Sequence, residues 1–421
     1  MAFNTISVIG LGYIGLPTAA MFASKEKKVI GVDINQHAVD IINAGKIHIV
    51  EPELDVMVKK LVDRGLLKAT ISPEPADAFL IAVPTPFLPA KTEGSIPEPD
   101  LSHIEAAAKS IAKVLKKGDL VILESTSPVG TTEKMANWMA EARSDLSFPQ
   151  THGGASDIRV AYCPERVLPG HVVRELVNND RVVGGMTEFC SAAAIELYEL
   201  FVEGECVVTN ARTAEMAKLT ENASRDVSIA FANELSIICD KINIDVLELI
   251  GLANRHPRVN ILQPGPGVGG HCIAVDPWFI VASAPSNAHL IKTARMVNDD
   301  KPNWVVRKIM SSVTQISHDL KISTDKVNVA CFGLSFKPDI DDLRQSPSLD
   351  IVRAVTEIHS GSVVAVEPNI KGVNEGSVIL VDQDQALANS HLLVILVAHK
   401  EFLNLSVPDG IRCINFTGGA R

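Results

Sequence analysis

Short apolar runs alternate with Ala-rich amphipathic segments through the first half of the chain. The runs lie at residues 5–9, 28–32, 79–83, 119–124, 159–162, 181–184 and 205–208. Continuous apolar runs of this length are typical of strands buried on both faces of a parallel sheet. With helical segments between them, they predict a doubly wound, Rossmann-like α/β domain over residues 1–210.

The period of the pattern changes between residues 213 and 241, where neither Gly nor Pro occurs and apolar residues recur at helical spacing. This stretch predicts one long helix, and further helices follow at about 246–254 and 288–313. A helical domain is therefore expected over residues 211–314. The apolar face of its long helix needs cover, which makes a homodimer the expected assembly. Strand-like runs then return and predict a second Rossmann-like domain over residues 315–421.

Composition and charge narrow the class of protein. The 421 residues carry a formal net charge of −11, with 46% hydrophobic and 21% charged residues. Such a chain is expected to fold as a globular protein, and its negative charge argues against nucleic acid or an anionic membrane as the main partner. Seven cysteines without a CxxC pair indicate neither a disulfide framework nor a zinc site. We expect a cytoplasmic enzyme without a metal, since no signal peptide or membrane-spanning apolar run is apparent.

The first apolar run leads into a glycine-rich turn that precedes a helix. In such a turn the first glycine permits the tight bend, the second lets the backbone approach a pyrophosphate, and the third lets the helix pack on the strand. The second run ends in Asp33, where a carboxylate binds a ribose 2′-hydroxyl and repels a 2′-phosphate. NAD is thus the expected cofactor. The residues expected to bind it are Gly10, Gly12, Tyr13, Ile14, Gly15 and Asp33.

Two threonines follow later strands of the same predicted sheet. Thr85 lies in a Pro-Thr-Pro turn after one strand, and Thr126 follows the next. Ligands of doubly wound sheets bind beyond the carboxyl ends of the strands, so both threonines are candidates to contact the cofactor. Hydroxyl groups that cap helices would give the same pattern, and that alternative stays open.

A glycine-rich loop with a cysteine lies past the middle of the chain. Residues 265–277 contain four glycines and two prolines, together with Cys272 and Asp276. This composition predicts a loop whose backbone comes close to a ligand. Cys272 is a candidate nucleophile if neighbouring groups favour its thiolate, and a small buried apolar residue is the alternative.

Polar and basic residues outside these loops have two interpretations. Lys218, Asn222 and Arg225 lie on one face of the predicted long helix, which is either a solvated face or one turned toward a ligand. Lys337 and Arg344 follow the first strand of the second sheet. They would either meet phosphates or pair with the acidic residues beside them.

Taken together, the motifs resemble the family of nucleotide-sugar 6-dehydrogenases, which includes UDP-glucose and GDP-mannose dehydrogenases. The motifs, spread over nearly the whole chain, are GLGYIGLP (10–17), VPTP (83–86), ESTSPVGTT (124–132), CPER (163–166), AEMAKLTENASRD (214–226), GPGVGGHCIAVDP (265–277) and FGLSFKPDIDDLRQS (332–346). The resemblance implies that the primary alcohol at C6 of a UDP-sugar is oxidised twice to a carboxylate, with two NAD+ and one water.

Within the resemblance, residues 254–280 favour UDP-N-acetyl-D-mannosamine as the substrate. Its uronate would serve enterobacterial common antigen or a related surface polysaccharide. UDP-N-acetylglucosamine and UDP-glucose are alternative substrates. A nucleotide-sugar-binding protein that keeps the fold without the reaction is an alternative of a different class.

The resemblance also implies roles for single residues. Cys272 would add to the aldehyde intermediate and then carry a thioester. Lys218 and Asn222 would meet the developing oxyanion, and either Glu165 or Asp276 would activate the hydrolytic water. The UDP-sugar would be contacted by Arg166, Val167, Lys218, Asn222, Arg225, His256, Arg258, Gly269, Phe336 and Lys337. Arg344 would reach NAD.

Two positions depart from the family pattern. The stretch Asn415-Phe416-Thr417-Gly418 stands where the family commonly has a lysine that reaches the nucleotide. Glu367 stands where an Asp-Pro pair is frequent after a strand of the second domain, which is a mild change.

Overall fold

The computed structural model describes residues 3–49, 51, 53–89, 92, 95–167, 172–270, 272–370 and 378–417. The chain divides into two compact units, Met1–Glu221 with Ala282–Ala284 and Asn222–Val281 with Pro285–Arg421. In the described residues each unit contains a sheet of its own. The division into three domains at residues 210 and 314 stays a prediction.

The first unit is built on a mostly parallel sheet. Its strands are β1 Thr5–Ile9, β2 Lys28–Val32, β3 Leu67–Thr70, β4 Ala78–Ile81, β5 Leu120–Leu123, β6 Arg159–Tyr162, β7 Arg181–Gly185 and β8 Cys206–Asn210. They lie in the order β3-β2-β1-β4-β5-β6-β7-β8. Strands β1 to β6 pair in parallel, β7 pairs antiparallel with β6, and β8 pairs parallel with β7. The order of the first six strands is that of a doubly wound sheet.

Helices cover both faces of this sheet. They are α1 Gly15–Ser24, α2 Gln36–Asn43, α3 Leu54–Asp63, α4 Ser102–Ala112, α5 Thr131–Ala142, α6 Pro149–His152, α7 Val172–Asn178 and α8 Glu188–Tyr198. Because successive side chains of a strand point to opposite faces, Val8 enters the core under α1, α3 and α8, whereas Ile9 enters the core under α4 and α5. The continuous apolar runs of the sequence are therefore strands buried on both sides.

Long helices precede the second sheet along the chain. The helices from residue 211 to 320 are α9 Ala211–Ile242, α10 Val246–Ala253, α11 Asp276–Ser283 and α12 His289–Leu320. The predicted long helix therefore exists, and it is two residues longer at the start and one at the end than the pattern indicated. Among the described residues, no helix has both the length and the apolar character required to cross a bilayer.

The second sheet repeats the doubly wound order. The remaining elements are β9 Val329–Phe332, α13 Pro347–Ile358, β10 Val363–Val366, β11 Ile379–Leu380, α14 Gln383–Asn389, β12 Leu392–Ile395 and β13 Arg412–Asn415. All pairs are parallel in the order β11-β10-β9-β12-β13. Val329 and Cys331 enter the core under α12 and α13, and Ala330 and Phe332 enter the core on the other face. The predicted fold class is confirmed: two Rossmann-like sheets with a helical section between them in the chain.

A buried ion pair ties α9 to α12 in the second unit. Asp226 on α9 and Arg295 on α12 form a salt bridge, and both side chains are fully buried. The Asn298 amide also donates to Asp226 Oδ1 at 2.7 Å. Removal of one partner from such a pair leaves an uncompensated charge in the interior, which is far more costly than the net value of the pair.

We predict that Arg295→Leu lowers the free energy of unfolding by about 3–5 kcal/mol, because Asp226 loses its counter-charge inside the protein. Denaturant unfolding followed by circular dichroism measures the loss. Arg307→Leu is the matched control on the same helix. The Arg307 pair with Asp300 spans 3.8 Å between exposed side chains, so its removal is expected to cost about 0–1 kcal/mol. Equal losses in the two variants would contradict the prediction.

Candidate functional site

The turn after β1 has the close packing that its glycines predict. Gly10 has φ of +90°, and its N–H donates to the Val32 carbonyl at 2.8 Å. A Cβ on Gly15 would lie 1.7 Å from the Gly10 carbonyl oxygen, so only glycine lets α1 begin this close to the strand. A Cβ on Gly12, by contrast, would have no described atom within 4 Å. Packing within the described chain therefore explains Gly10 and Gly15 but not Gly12.

Asp33 lies beside this turn with a fixed orientation. Its carboxylate accepts hydrogen bonds from the N–H groups of Leu11 and Asn35, both at 2.9 Å, and the residue is half-buried. Tyr13 is exposed and Ile14 forms the N-cap of α1. The helix N-terminus, the tight turn and the acid thus stand at one strand edge, the arrangement that binds a pyrophosphate and a ribose hydroxyl.

The structure brings the two predicted threonines together. Thr85 Oγ1 donates to the Thr126 carbonyl at 2.5 Å, across the ends of neighbouring strands β4 and β5. The N-cap residues of the helices that follow are Leu101 and Gly130. Helix capping therefore does not explain either threonine, and both side chains are half-buried at the carboxyl edge of the sheet.

Glu215 is a residue of this region that the sequence analysis missed. It lies in the first turns of α9, and its carboxylate accepts from Gly130 N at 2.6 Å and from Thr132 N at 2.8 Å and Thr132 Oγ1 at 2.7 Å. Burial raises the pKa of Glu215, and these hydrogen bonds oppose that effect. The contacts join the start of α9 to the N-terminus of α5 and so fix the helical turn that carries Lys218, which is half-buried. An acid in an Ala-rich helix start was the signal available in the sequence.

The CPER loop after β6 carries two ion pairs. Glu165 pairs with Arg181 at 2.7 Å, and both side chains are buried. Arg166 pairs with Glu221 of α9 at 2.8 Å nearer the surface. Val167 is half-buried and packs against the core under α1. The loop is therefore attached to β7 and to α9 by charged side chains.

In the second unit, α9 contacts the last residues of the glycine-rich loop. Asn222 Nδ2 donates to Asp276 Oδ2 at 2.5 Å, and Asp276 is buried. The Cys272 carbonyl accepts from Asp276 N at 2.9 Å, which places the cysteine one turn before α11. Cys272 is exposed, so the interpretation as a small buried apolar residue is wrong. No disulfide links the seven cysteines, all of which lie in the described residues.

The glycine loop packs closely against the loop after β9. Gly265 N–H donates to Asn233 Oδ1 at 2.9 Å, which anchors the start of the loop on α9. A Cβ on Gly269 would lie 2.5 Å from the Gln345 carbonyl oxygen and 2.9 Å from Phe336 Cβ. Gly269 and Phe336, two predicted substrate contacts, are thus neighbours, and any larger residue at 269 would separate the loops.

The remaining predicted residues lie at the surface of the second unit. Arg225, His256, Arg258 and Lys337 are exposed. Arg344 forms a two-pronged ion pair with Asp342, with Nη2 to Oδ2 at 2.6 Å. In this structure Arg344 therefore pairs with a neighbouring acid.

The two departures from the family pattern have different consequences. Glu367 is buried and accepts from Leu334 N and Ser335 N, at 2.7 and 3.1 Å. It therefore holds the loop that carries Phe336. Asn415 Oδ1 accepts from the N–H of Thr417 at 2.8 Å, and Gly418 lies outside the described residues.

Asp339, His399 and Glu401 form the one group of potential metal ligands found in the described part of the chain. Both ring nitrogens of His399 already make hydrogen bonds, Nδ1 with Asp339 N at 2.9 Å and Nε2 with Glu367 at 3.1 Å. A nitrogen that accepts a backbone N–H offers no lone pair to a cation. The arrangement is that of a structural histidine.

Family models match most of the chain. The NAD binding domain of the UDP-glucose/GDP-mannose dehydrogenase family matches residues 4–202. The central domain of that family matches residues 212–300, and its UDP binding domain matches residues 330–413.

Individual relatives are similar over nearly the whole length. A UDP-N-acetyl-D-mannosamine dehydrogenase of Yersinia pestis is 63% identical over 412 residues, 97% of each chain. An NDP-N-acetyl-D-galactosaminuronic acid dehydrogenase of Ralstonia nicotianae is 61% identical over 96% of this chain and 92% of the relative. A solved UDP-D-ManNAc dehydrogenase from Pyrococcus horikoshii is 36% identical with a TM-score of 0.85, covering 98% of this chain and 95% of that one.

We predict different effects for two substitutions in the turn after β1, one on NAD binding and the other on stability. Gly12→Ala is expected to keep the free energy of unfolding within about 0.5 kcal/mol but to weaken NAD binding about tenfold or more, about 1.4 kcal/mol. Gly15→Ala is expected to cost about 1–3 kcal/mol or more of stability, because its methyl group overlaps the Gly10 carbonyl. Thermal unfolding and titration calorimetry with NAD separate the two effects. Loss of stability in Gly12→Ala would contradict the ligand explanation.

Proposed function

This chain belongs to the UDP-glucose/GDP-mannose dehydrogenase family, and from that premise we propose that it oxidises UDP-N-acetyl-D-mannosamine at C6 to UDP-N-acetyl-D-mannosaminuronate. The observation that carries the proposal is the set of contacts around Cys272: an exposed thiol one turn before a buried Asp276 that holds the Asn222 amide. The reaction is a four-electron oxidation with NAD as the cofactor.

The residues of the first unit fit NAD. The turn from Gly10 to Gly15 and the N-terminus of α1 suit its pyrophosphate, and Asp33 suits a ribose hydroxyl. Two bonds from Leu11 and Asn35 leave acceptor sites on the Asp33 carboxylate. When bound, NAD+ accepts hydride in both oxidations. Thr85 and Thr126, at the ends of β4 and β5, are the further candidates to contact it, and Arg344 stays a prediction.

In the first oxidation a base takes the proton of the C6 hydroxyl while its carbon loses hydride, which gives an aldehyde. Lys218 is our candidate for this proton transfer. Lys218 and Asn222 lie one turn apart on α9, and we assign both to the oxygen that carries the developing charge. An amide has two N–H donors, and Asn222 gives one to Asp276, so we assign the second to the substrate oxygen. One donor of this kind is typically worth about 10²–10³-fold in rate.

The second oxidation requires covalent capture of the aldehyde, because an sp² aldehyde carbon has no hydride to lose until a nucleophile adds. The Cys272 thiolate adds to that carbon, and the carbonyl electron pair becomes the oxyanion of a thiohemiacetal. Loss of hydride from the same carbon then gives a thioester and leaves the sulfur bound. The Cys272 residue is exposed, as a nucleophile must be.

Hydrolysis returns the thiolate. We assign the water-activating role to Glu165, because Asp276 already accepts the Asn222 amide and serves to orient it. Glu165 takes a proton from water as the water oxygen bonds to the thioester carbon, and Cys272 leaves with the electron pair of the C–S bond. The carboxylic acid that forms loses its remaining proton to solvent, so the product is the carboxylate.

We assign the contacts to the nucleotide and the sugar to residues from several of the motifs. The match to a UDP binding domain begins at residue 330 and includes Phe336 and Lys337. Phe336 offers a ring held against the glycine loop, and Lys337 offers an exposed charge for phosphate. The other assigned substrate contacts are Arg166, Val167, Arg225, His256, Arg258 and Gly269.

Assembly as a homodimer and location in the cytoplasm are also proposed. Phe231, Ile238 and Ile242 expose 52%, 46% and 58% of their surface along α9. They recur at helical spacing, so they form one apolar stripe that a second copy of the chain would cover.

We predict two NADH per sugar consumed, without free aldehyde, when the purified protein is supplied with NAD+ and UDP-N-acetyl-D-mannosamine. Absorbance at the NADH band and mass spectrometry of the sugar measure the ratio. UDP-N-acetylgalactosamine belongs in the panel, because a relative of 61% identity is named for N-acetyl-D-galactosaminuronic acid. We expect kcat/KM for the manno sugar to exceed those for UDP-N-acetylgalactosamine, UDP-N-acetylglucosamine and UDP-glucose about tenfold or more. A ratio of one NADH with released aldehyde would refute the thioester route.

We predict that Cys272→Ser lowers uronate formation by roughly 10³-fold or more, as loss of a nucleophile usually does, and leaves the affinity for NAD unchanged. Product analysis over long incubations and a binding titration are the measurements. Cys413→Ser is the control, since Cys413 is also exposed but lies on β13. Normal uronate production by Cys272→Ser would remove this cysteine from the mechanism.

A further inference from the structure

A cluster of charged residues lies buried behind the CPER loop. It consists of Arg181, Glu165, Glu124 and Tyr198, and we call it the buried arginine cluster. Arg181 Nη2 lies 2.7 Å from Glu165 Oε2, and Arg181 Nη1 lies 3.9 Å from Glu124 Oε1. The Tyr198 hydroxyl donates to Glu124 Oε1 at 2.6 Å. Apart from Glu165, none of these residues has a part in the proposed reaction.

The strand register explains how a basic side chain, Arg181, reaches the carboxyl edge of the sheet. Strands β6 and β7 are antiparallel, with Ala161 opposite Gly185 and Tyr162 opposite Gly184. Continuing that register beyond β6 sets Glu165 opposite Arg181, the first residue of β7. A parallel β7 would begin at the opposite edge of the sheet. The reversed strand therefore delivers a guanidinium to the carboxyl edge, where ligands of such sheets bind.

Arg181 is held rigidly. Its guanidinium carbon lies 4.3 Å from the centroid of the Tyr198 ring and 5.7 Å from that of Phe201, so two rings contact the cation. The residue is 4% exposed. Its hydrogen bond to Glu165 fixes one carboxylate oxygen, and the N–H of Arg166 donates to the other at 2.7 Å. Each oxygen of Glu165 thus has one fixed donor and a further acceptor site.

Charge balance within the cluster favours the pair with Glu165. Burial raises the pKa of Glu124 to about 7, an effect that Arg181 opposes and Glu165 reinforces. Protonation of Glu124 would leave the cluster with one cation and one carboxylate. The distances already favour that pair, since the guanidinium lies 2.7 Å from Glu165 but 3.9 Å from Glu124.

Stability does not account for the cluster. A buried ion pair usually contributes little net stability, since the loss of hydration offsets the attraction. In the described structure Nε and Nη1 of Arg181 and Oε2 of Glu124 have no hydrogen-bond partner, and each such atom carries a further cost. Costly polar groups of this kind are commonly placed where they serve a functional site.

We infer that Arg181 is a positioning residue for hydrolysis: it fixes the orientation of the Glu165 carboxylate through a rigid, ring-flanked ion pair. The inference rests on the proposed role of Glu165 in activating the water that cleaves the Cys272 thioester. Arg181 itself touches neither substrate nor cofactor in this proposal. Its effect is confined to the last step, so both oxidations should proceed without it.

Rapid-mixing kinetics on the full chain with NAD+ and UDP-N-acetyl-D-mannosamine tests the inference. In Arg181→Lys the charge stays but the planar fork is lost, so the carboxylate shifts. We expect a rapid burst of two NADH per active site at the wild-type rate, followed by turnover about 10- to 100-fold slower, the usual cost of a misplaced group. Acid quenching should trap an acyl group on Cys272, visible by mass spectrometry.

Arg64→Lys is the matched control. Arg64 pairs with Glu26 at the same 2.7 Å, but both side chains are exposed and the pair lies in another part of the first unit. It should behave as wild type in the burst and in turnover. A merely structural Arg181 would instead lower the burst rate, the NAD affinity and the melting temperature together, without accumulation of acyl-enzyme, and that result would overturn the inference.

Double substitution supplies a readout of coupling. If Arg181 acts only through Glu165, Arg181→Lys should slow hydrolysis no further once Glu165→Gln is present, to within about threefold. Multiplicative effects would show independent roles and would overturn the inference.

Glu165→Asp covers the case in which Arg181→Lys does not fold. The shorter side chain keeps the charge but withdraws it by roughly 1.5 Å from Arg181, so acyl-enzyme should accumulate nearly as in Glu165→Gln. Hydrolysis at the wild-type rate by Glu165→Asp would refute the inference alone, with the proposed function intact. A wild-type chain that forms no uronate from any UDP-sugar would overturn the proposed function and the inference together.

Discussion

Parallel pairing of strands is the constraint on which the candidate site of the first unit depends. In a parallel sheet every strand ends at the same edge, so loops that are far apart in the chain leave from one place. The turn after β1, the acid after β2, and the threonines after β4 and β5 meet there for this reason alone. The single reversal in the described sheet, at β7, brings the start of a strand to this edge and with it Arg181. Direction of pairing therefore selects which residues can act together.

The same hydrogen bond occurs in both sheets, but its acid has different surroundings in each. In each, the residue after a positive-φ glycine donates its N–H to an acid at the end of the neighbouring strand: Leu11 to Asp33 at 2.9 Å, and Leu334 to Glu367 at 2.7 Å. The acids differ in what else surrounds them. Asp33 is half-buried, whereas Glu367 is buried and bonded to His399. Hence the same strand order leaves a half-buried carboxylate at the edge of the first sheet, where we propose a ribose binds, and fixes the loop after β9 in the second.

Much of this arrangement could be predicted from the sequence because its signals are local. The glycine spacing from Gly10 to Gly15 and the apolar runs depend on neighbours within a few residues, and the structure has them as predicted. Glu215, Asp276 and Arg181 bond to Gly130, Asn222 and Glu165, which lie 85, 54 and 16 residues away along the chain, beyond the reach of a local pattern. Sequence spacing carries no record of strand direction or of which helix turn meets which loop, so those contacts could not be foreseen.

The candidate carboxylates share a principle of construction. Asp276 is held by the Asn222 amide and Glu165 by the Arg181 guanidinium, each through a donor at 2.5–2.7 Å. A flexible acid would sample several rotamers, and only a fraction would face a reacting atom. A fixed partner holds the acid in one rotamer before the substrate arrives, at the cost of burying a polar or charged group. In the proposed hydrolysis, the fixed placement of the Glu165 carboxylate is what would let the thioester be cleaved in every cycle.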